Sequence, residues 1–136
     1  MSIAARTKRA ENVAVGARLA RLRHLYGWTQ GTLAHALGWV DDHGVGKRAR
    51  VAQLETGRVA FANVNQREMA AQAFGLTLDM LNKVLKGEMA EEAAQQVGIR
   101  ALVRRAGAKA QEDRKGAVRD GFAAIATLKD LSRKSP

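Results

Sequence analysis

The only proline in this 136-residue chain is its last residue, Pro136. A proline inside a helix removes a backbone donor and collides with the preceding turn. A long, alanine-containing chain without an internal one is therefore free to build helix throughout. No stretch alternates β-branched with polar residues, so no sheet is expected and the fold class is all-α. Glycine supplies the punctuation. Val15, Leu19, Leu22 and Tyr26 repeat along one face of a first helix, with Gly27 as its stop. In WTQGTLAHALG, Thr29 caps a short second helix, Leu33, Ala34 and Leu37 face inward, and Gly38 closes it. Trp28 and Leu33 have the spacing of a hydrophobic staple. Gly31 in the first turn costs about 1 kcal/mol relative to alanine, so tertiary packing must hold this helix.

The segment WVDDHGVG is too rich in Asp and Gly to continue a helix. A third helix is expected from about Lys47, KRARVAQLET, with Val51 and Leu54 inward and Gly57 as its end. Arg48, Ala49, Arg50 and Gln53 are left on the outer face. Asn63 caps a fourth helix ended by Gly75, and Thr77 caps a fifth ended by Gly87. Residues 1–14, with Arg6, Lys8 and Arg9 among small side chains, read as a flexible basic arm. From Glu88 the composition shifts, and two further helices are expected, over 88–105 and 111–133, with a break at Gly107. Val118, Phe122, Ile125 and Leu128 form an apolar stripe on the last of these. A two-helix appendage buries too little to be stable alone, so the stripe predicts a dimer contact. The division is thus an arm (1–14), a helical domain (15–87) and a C-terminal segment (88–136).

Charge narrows the partners. Lys and Arg number 23 against 13 Asp and Glu, a net charge of +10. Such a field favours polyanions, either nucleic acid or an anionic surface. The excess is concentrated before Glu88, where the net charge is +7, against +3 in the remainder. There is no cysteine, so disulfides and thiolate zinc sites are excluded. No run of 18 apolar residues exists and the N-terminus lacks an apolar signal core, so no membrane association and a cytoplasmic location are expected. The chain has three histidines, His24, His35 and His43, no nucleophile–histidine–acid set and no phosphate-loop glycine pattern, so an enzyme is disfavoured. Asp41, Asp42 and His43 are consecutive and cannot easily converge on one ion. Neither metal nor cofactor is expected.

The motifs Leu-x-x-Leu-Arg, Trp-Thr-Gln-x-x-Leu-Ala, Leu-Glu-x-Gly and Ala-x-Ala-Phe-Gly-Leu-Thr occur in order within GARLARLRHLYGWTQGTLAHALG, VAQLETG and MAAQAFGLTLDML. Over residues 15–87 this resembles the lambda-repressor/Cro-like helix-turn-helix family. The resemblance implies a five-helix DNA-binding domain, here with a C-terminal helical extension, acting as a homodimeric transcriptional regulator, a repressor or autorepressor, on a palindromic operator in double-stranded DNA. It puts Arg48, Ala49 and Gln53 where family members contact bases, with Arg50 adjacent, and Thr29, Gln30, Thr56 and Arg58 where they hold phosphates. Physics alone gives similar roles: Arg reads guanine and Gln reads adenine in the major groove, and a helix N-terminus accepts a phosphate. Glu55 matches the acid that pairs with an arginine of the first helix, here Arg23, a structural pair.

Two departures stand out. Gly38 and Glu55 are 17 positions apart, about seven more than the family pattern, so either the loop bulges outward or the third helix starts early. The fourth helix carries Arg67 and Glu68 where apolar residues are usual, so it is expected to be shifted or partly exposed. Two other functions compete. One is an antitoxin-like protein whose C-terminal segment binds a protein partner. The other is a non-specific nucleic-acid module, disfavoured by the scarcity of aromatics for base stacking.

Overall fold

The computed structural model describes the backbone of residues 2–134 and the side chains of residues 2–114. Within them the chain is all-α. Its helices are α1 (Ile3–Leu25), α2 (Gln30–Ala36), α3 (Arg48–Glu55), α4 (Val64–Phe74), α5 (Leu78–Lys86) and α6 (Glu91–Lys134). The caps fall where local chemistry puts them. Thr29, Asn63 and Thr77 each accept a hydrogen bond from a backbone N–H in the first turn of the helix they precede. No helix among the described residues is long and apolar enough to cross a membrane.

The core lies where α1 packs on α3 and α5, α2 on α3 and α4, and α4 on α5. Leu19, Leu22, Leu33, Val51, Phe74, Leu81, Val84 and Leu85 are fully buried in it. Each such side chain contributes about 1.5–3 kcal/mol by leaving water. At its edge Trp28 stacks on Phe74 at 4.6 Å, and Tyr26 meets Phe74 edge-on at 4.8 Å. The Arg67 departure has a local explanation. Its Nε donates to the Phe61 carbonyl at 2.5 Å and its Nη1 to Asn82 Oδ1 at 2.8 Å, so it ties the α3–α4 loop to α5. Burial pulls its pKa below the usual guanidinium value. Glu68 is exposed.

Three expectations need correction. Residues 3–14 are not a flexible arm: they are the first half of α1, begun by Ser2, whose Oγ accepts from the Ala5 N–H at 3.1 Å. The stretch IAARTKRAENVA holds good helix formers and no breaker, and lacking an apolar stripe says only that it is not buried. Residues 88–134 are not two helices: α6 runs from Glu91 to Lys134 through Gly107. An isolated glycine weakens a helix by about 1 kcal/mol but does not end it without a capping geometry.

The third correction concerns the boundary at Gly87. The first compact unit extends through Ala101, and the second is Leu102–Pro136. Within the first unit, Ala94 and Gly98 are buried. A side chain at position 98 would overlap Tyr26 Oη and the Phe74 carbonyl. Gln95 Nε2 donates to the Leu25 carbonyl at 2.6 Å, and Arg21 pairs with Glu92 at 2.5 Å. Packing through small residues leaves no apolar stripe in the sequence, so a boundary read from composition falls too early.

Candidate nucleic-acid interface

The α3 sequence RARVAQLE divides by three-residue spacing into two faces. Val51 and Leu54 are buried, whereas Arg48, Ala49, Arg50 and Gln53 are exposed. The helix is held at its C-terminal end by the Arg23–Glu55 pair. Arg23 Nε reaches Glu55 Oε2 at 2.6 Å and Nη2 reaches Oε1 at 3.0 Å, with side-chain exposures of 8% and 7%. Gln30 Nε2 donates to the same carboxylate at 3.0 Å, and Arg23 Nη1 donates to the Trp28 carbonyl at 2.8 Å. One buried network therefore joins α1, α2 and α3, and every one of these bonds has a charged partner.

The extra turn residues form a small hairpin, so the loop bulges and α3 does not start early. Val40 and Gly46 make an antiparallel bridge. The Asp41 N–H donates to the Val45 carbonyl at 2.9 Å, and the Lys47 N–H donates to the Trp39 carbonyl at 2.8 Å. Asp41 Oδ1 accepts from the His43 and Val45 N–H groups, which closes the tip. Gly46 lies so close to α2 that a Cβ there would overlap the Gly31 carbonyl. At the hairpin root Trp39 is 9% exposed, and the Arg50 guanidinium lies 4.4 Å from its ring centroid. Arg48 runs past Gly31, where an added methyl would sit 3.4 Å from its Cγ.

The residues expected to hold phosphates differ in what they are free to do. Thr29 spends its hydroxyl on the Thr32 N–H and on Thr32 Oγ1. Gln30 commits its amide nitrogen to Glu55. Thr56 donates its hydroxyl to the Ala52 carbonyl at 2.8 Å. Arg58 is exposed and forms no side-chain hydrogen bond or ion pair among the described residues.

Arg6, Lys8 and Arg9 are exposed on the helical start of α1. An open cleft of about 380 Å³ is lined by Arg9, Ala49, Ala52, Gln53, Thr56 and Arg58. A second, of about 500 Å³, is lined by Ala5, Lys8, Arg9, Asn12, Gly57 and Arg58. The structure thus brings Arg9 of the expected arm to the outer face of α3, and Lys8 beside Gly57 and Arg58 just past the end of that helix. Sequence reasoning missed Trp39 as the support of Arg50; a lone tryptophan just after a helix-ending glycine was the available signal. Val118, Phe122, Ile125 and Leu128 lie outside the residues whose side chains are described. Comparison with known proteins finds no matching family model, no matching curated protein and no matching solved structure.

Proposed function

We propose that this protein binds duplex DNA in a sequence-selective way, with α2 and α3 as a helix-turn-helix of the lambda-repressor/Cro-like kind, and that it regulates transcription as a dimer on a palindromic operator. The observation that carries this reading is the outer face of α3. It presents Arg48 and Gln53 with no side-chain hydrogen bond or ion pair among the described residues, beside Arg50, on a helix locked by a buried three-residue network. A base-reading helix needs that combination: polar side chains held ready and a frame that fixes their register. The surrounding clefts are lined by cations and no carboxylate, which suits a phosphate backbone.

The test is selection of bound duplexes from a random library, followed by competition against single-base variants. Gln53→Ala is expected to relax preference at one base pair by about 1–3 kcal/mol, and Arg48→Ala to do the same at a guanine. If both variants lose affinity equally on every sequence, with the base preferences intact, α3 does not read the major groove.

A further inference from the structure

We infer that the projecting start of α1 is a rigid second grip on DNA, in which Lys8 and Arg9 act with Arg58 to hold a phosphodiester of the backbone beside the α3 face. This rests on the duplex-binding reading and extends it to a part of the chain that the helix-turn-helix does not include.

Rigidity comes from the way α1 meets the end of α3. A side chain at Gly16 would overlap the Leu54 and Glu55 carbonyls, and a Cβ at Gly57 would fall 2.6 Å from the Val13 backbone. These close approaches fix the axis of α1 against the C-terminal turn of α3. Residues 2–10 are exposed throughout and add nothing to the core. Ten residues of helix ahead of Val13 extend about 15 Å. Ser2 caps the end, and the Thr7 hydroxyl bonds to the Ile3 carbonyl.

Helical phase then sorts the projection into two sides. Ala5, Lys8, Arg9 and Asn12, spaced i, i+3, i+4 and i+7, line the cleft against Gly57 and Arg58. Thr7, Ala10, Glu11 and Ala14 line a different cleft, toward α5. Lys8 and Arg9 line the side toward the end of α3, whereas Glu11 lines the other side, with Arg18 and Lys86. Arg9 and Arg58 also line the cleft that contains Gln53. Lys8, Arg9 and Arg58 have no hydrogen-bond or ion-pair partner among the described residues. Three cations gathered around one open cleft repel each other, and a phosphate relieves that repulsion while accepting their hydrogen bonds. A purely structural role, complementing the C-terminal dipole of α3, would move stability and leave the salt dependence of DNA binding unchanged.

The experiment compares full-length wild type, Lys8→Ala/Arg9→Ala, and the same pair with Glu11→Lys, which restores the net charge on the other side of the helix. Binding is measured by fluorescence anisotropy on a duplex selected by the wild type and on a scrambled duplex, between about 50 and 200 mM salt. The pair is expected to weaken both duplexes about tenfold and to reduce the slope of log K against log salt by about 1–2. Glu11→Lys is expected not to restore either. An unchanged slope, or full recovery with Glu11→Lys, overturns the inference. Failure of the underlying reading has a different signature: the wild type itself would show no preference between the two duplexes.

Discussion

Removing one member of the Arg23–Glu55 pair tests the frame on which α3 is mounted. Glu55→Ala deletes the acceptor of Arg23 Nε at 2.6 Å, of Arg23 Nη2 at 3.0 Å and of Gln30 Nε2 at 3.0 Å. Arg23 keeps the Trp28 carbonyl at 2.8 Å and the neutral His24 ring at 3.2 Å but no carboxylate, and its side chain is 8% exposed. An uncompensated buried charge costs about 3–5 kcal/mol. With a urea slope of about 1.5 kcal/mol/M, that lowers the unfolding midpoint by roughly 2–3 M. Arg23→Met orphans the carboxylate instead and should cost a similar amount. The double variant Arg23→Met/Glu55→Leu removes both charges, and a well-packed apolar replacement of a buried pair is close to neutral or stabilising. The two single costs should therefore fail to add by several kcal/mol. Urea melts followed by tryptophan fluorescence, assembled into a double-mutant cycle, give the coupling directly. Single costs below about 1 kcal/mol, or additivity within about 0.5 kcal/mol, would refute the claim that this pair carries the frame.

Two glycines of α6 should respond in opposite directions to an added methyl. Gly98→Ala should destabilise the protein by about 1–3 kcal/mol, because its methyl would strike Tyr26 Oη and the Phe74 carbonyl. Gly107→Ala should stabilise α6 by about 0.5–1 kcal/mol, since nothing among the described residues lies within 4 Å of an added Cβ there; thermal melts of the two variants read the opposite signs. Tyr26 donates to the Phe74 carbonyl at 2.6 Å, and burial pushes its pKa up to about 12 from 10.0. The phenol stays protonated longer in the folded state, so its contribution is complete below pH 10.0 and is lost as pH rises through about 12. Tyr26 is the single tyrosine of the chain, so phenolate absorbance isolates it. A native midpoint near that of the unfolded chain would remove the buried contact.

What the sequence disclosed depended on how local the cause was. Caps such as Asn63 and Thr77 act within one turn, so the starts of α4 and α5 were legible. The inward pair Val51 and Leu54, the outer residues of α3 and the Arg23–Glu55 pair were also anticipated. The start of α1 was missed because an unburied helix leaves no periodic apolar signal. The packing of the first turns of α6 was missed because Ala94 and Gly98 work by being small, and a close approach is written in the partner's surface as much as in the glycine. The stacking of Arg50 on Trp39 depends on a hairpin closing over nine residues, and its register comes from long-range backbone pairing. In the candidate site, residue types were readable, whereas their existing commitments were not: Thr29, Gln30 and Thr56 already spend polar atoms inside the protein.

The hairpin between α2 and α3 uncouples the length of this connection from the position of the helix beyond it. The chain leaves at Trp39 and comes back to it, because the Lys47 N–H bonds to the Trp39 carbonyl immediately before α3 begins. Residues 40–46 form a closed excursion whose ends are already joined, and the distal side chains Asp42, His43 and Val45 are exposed. Adding a pair of residues at the tip would lengthen the excursion without altering the distance its ends must span. The position is thus a natural port for grafted sequence, such as a short epitope or a fluorophore site, carried next to the outer face of α3 while that helix keeps its anchorage at Glu55.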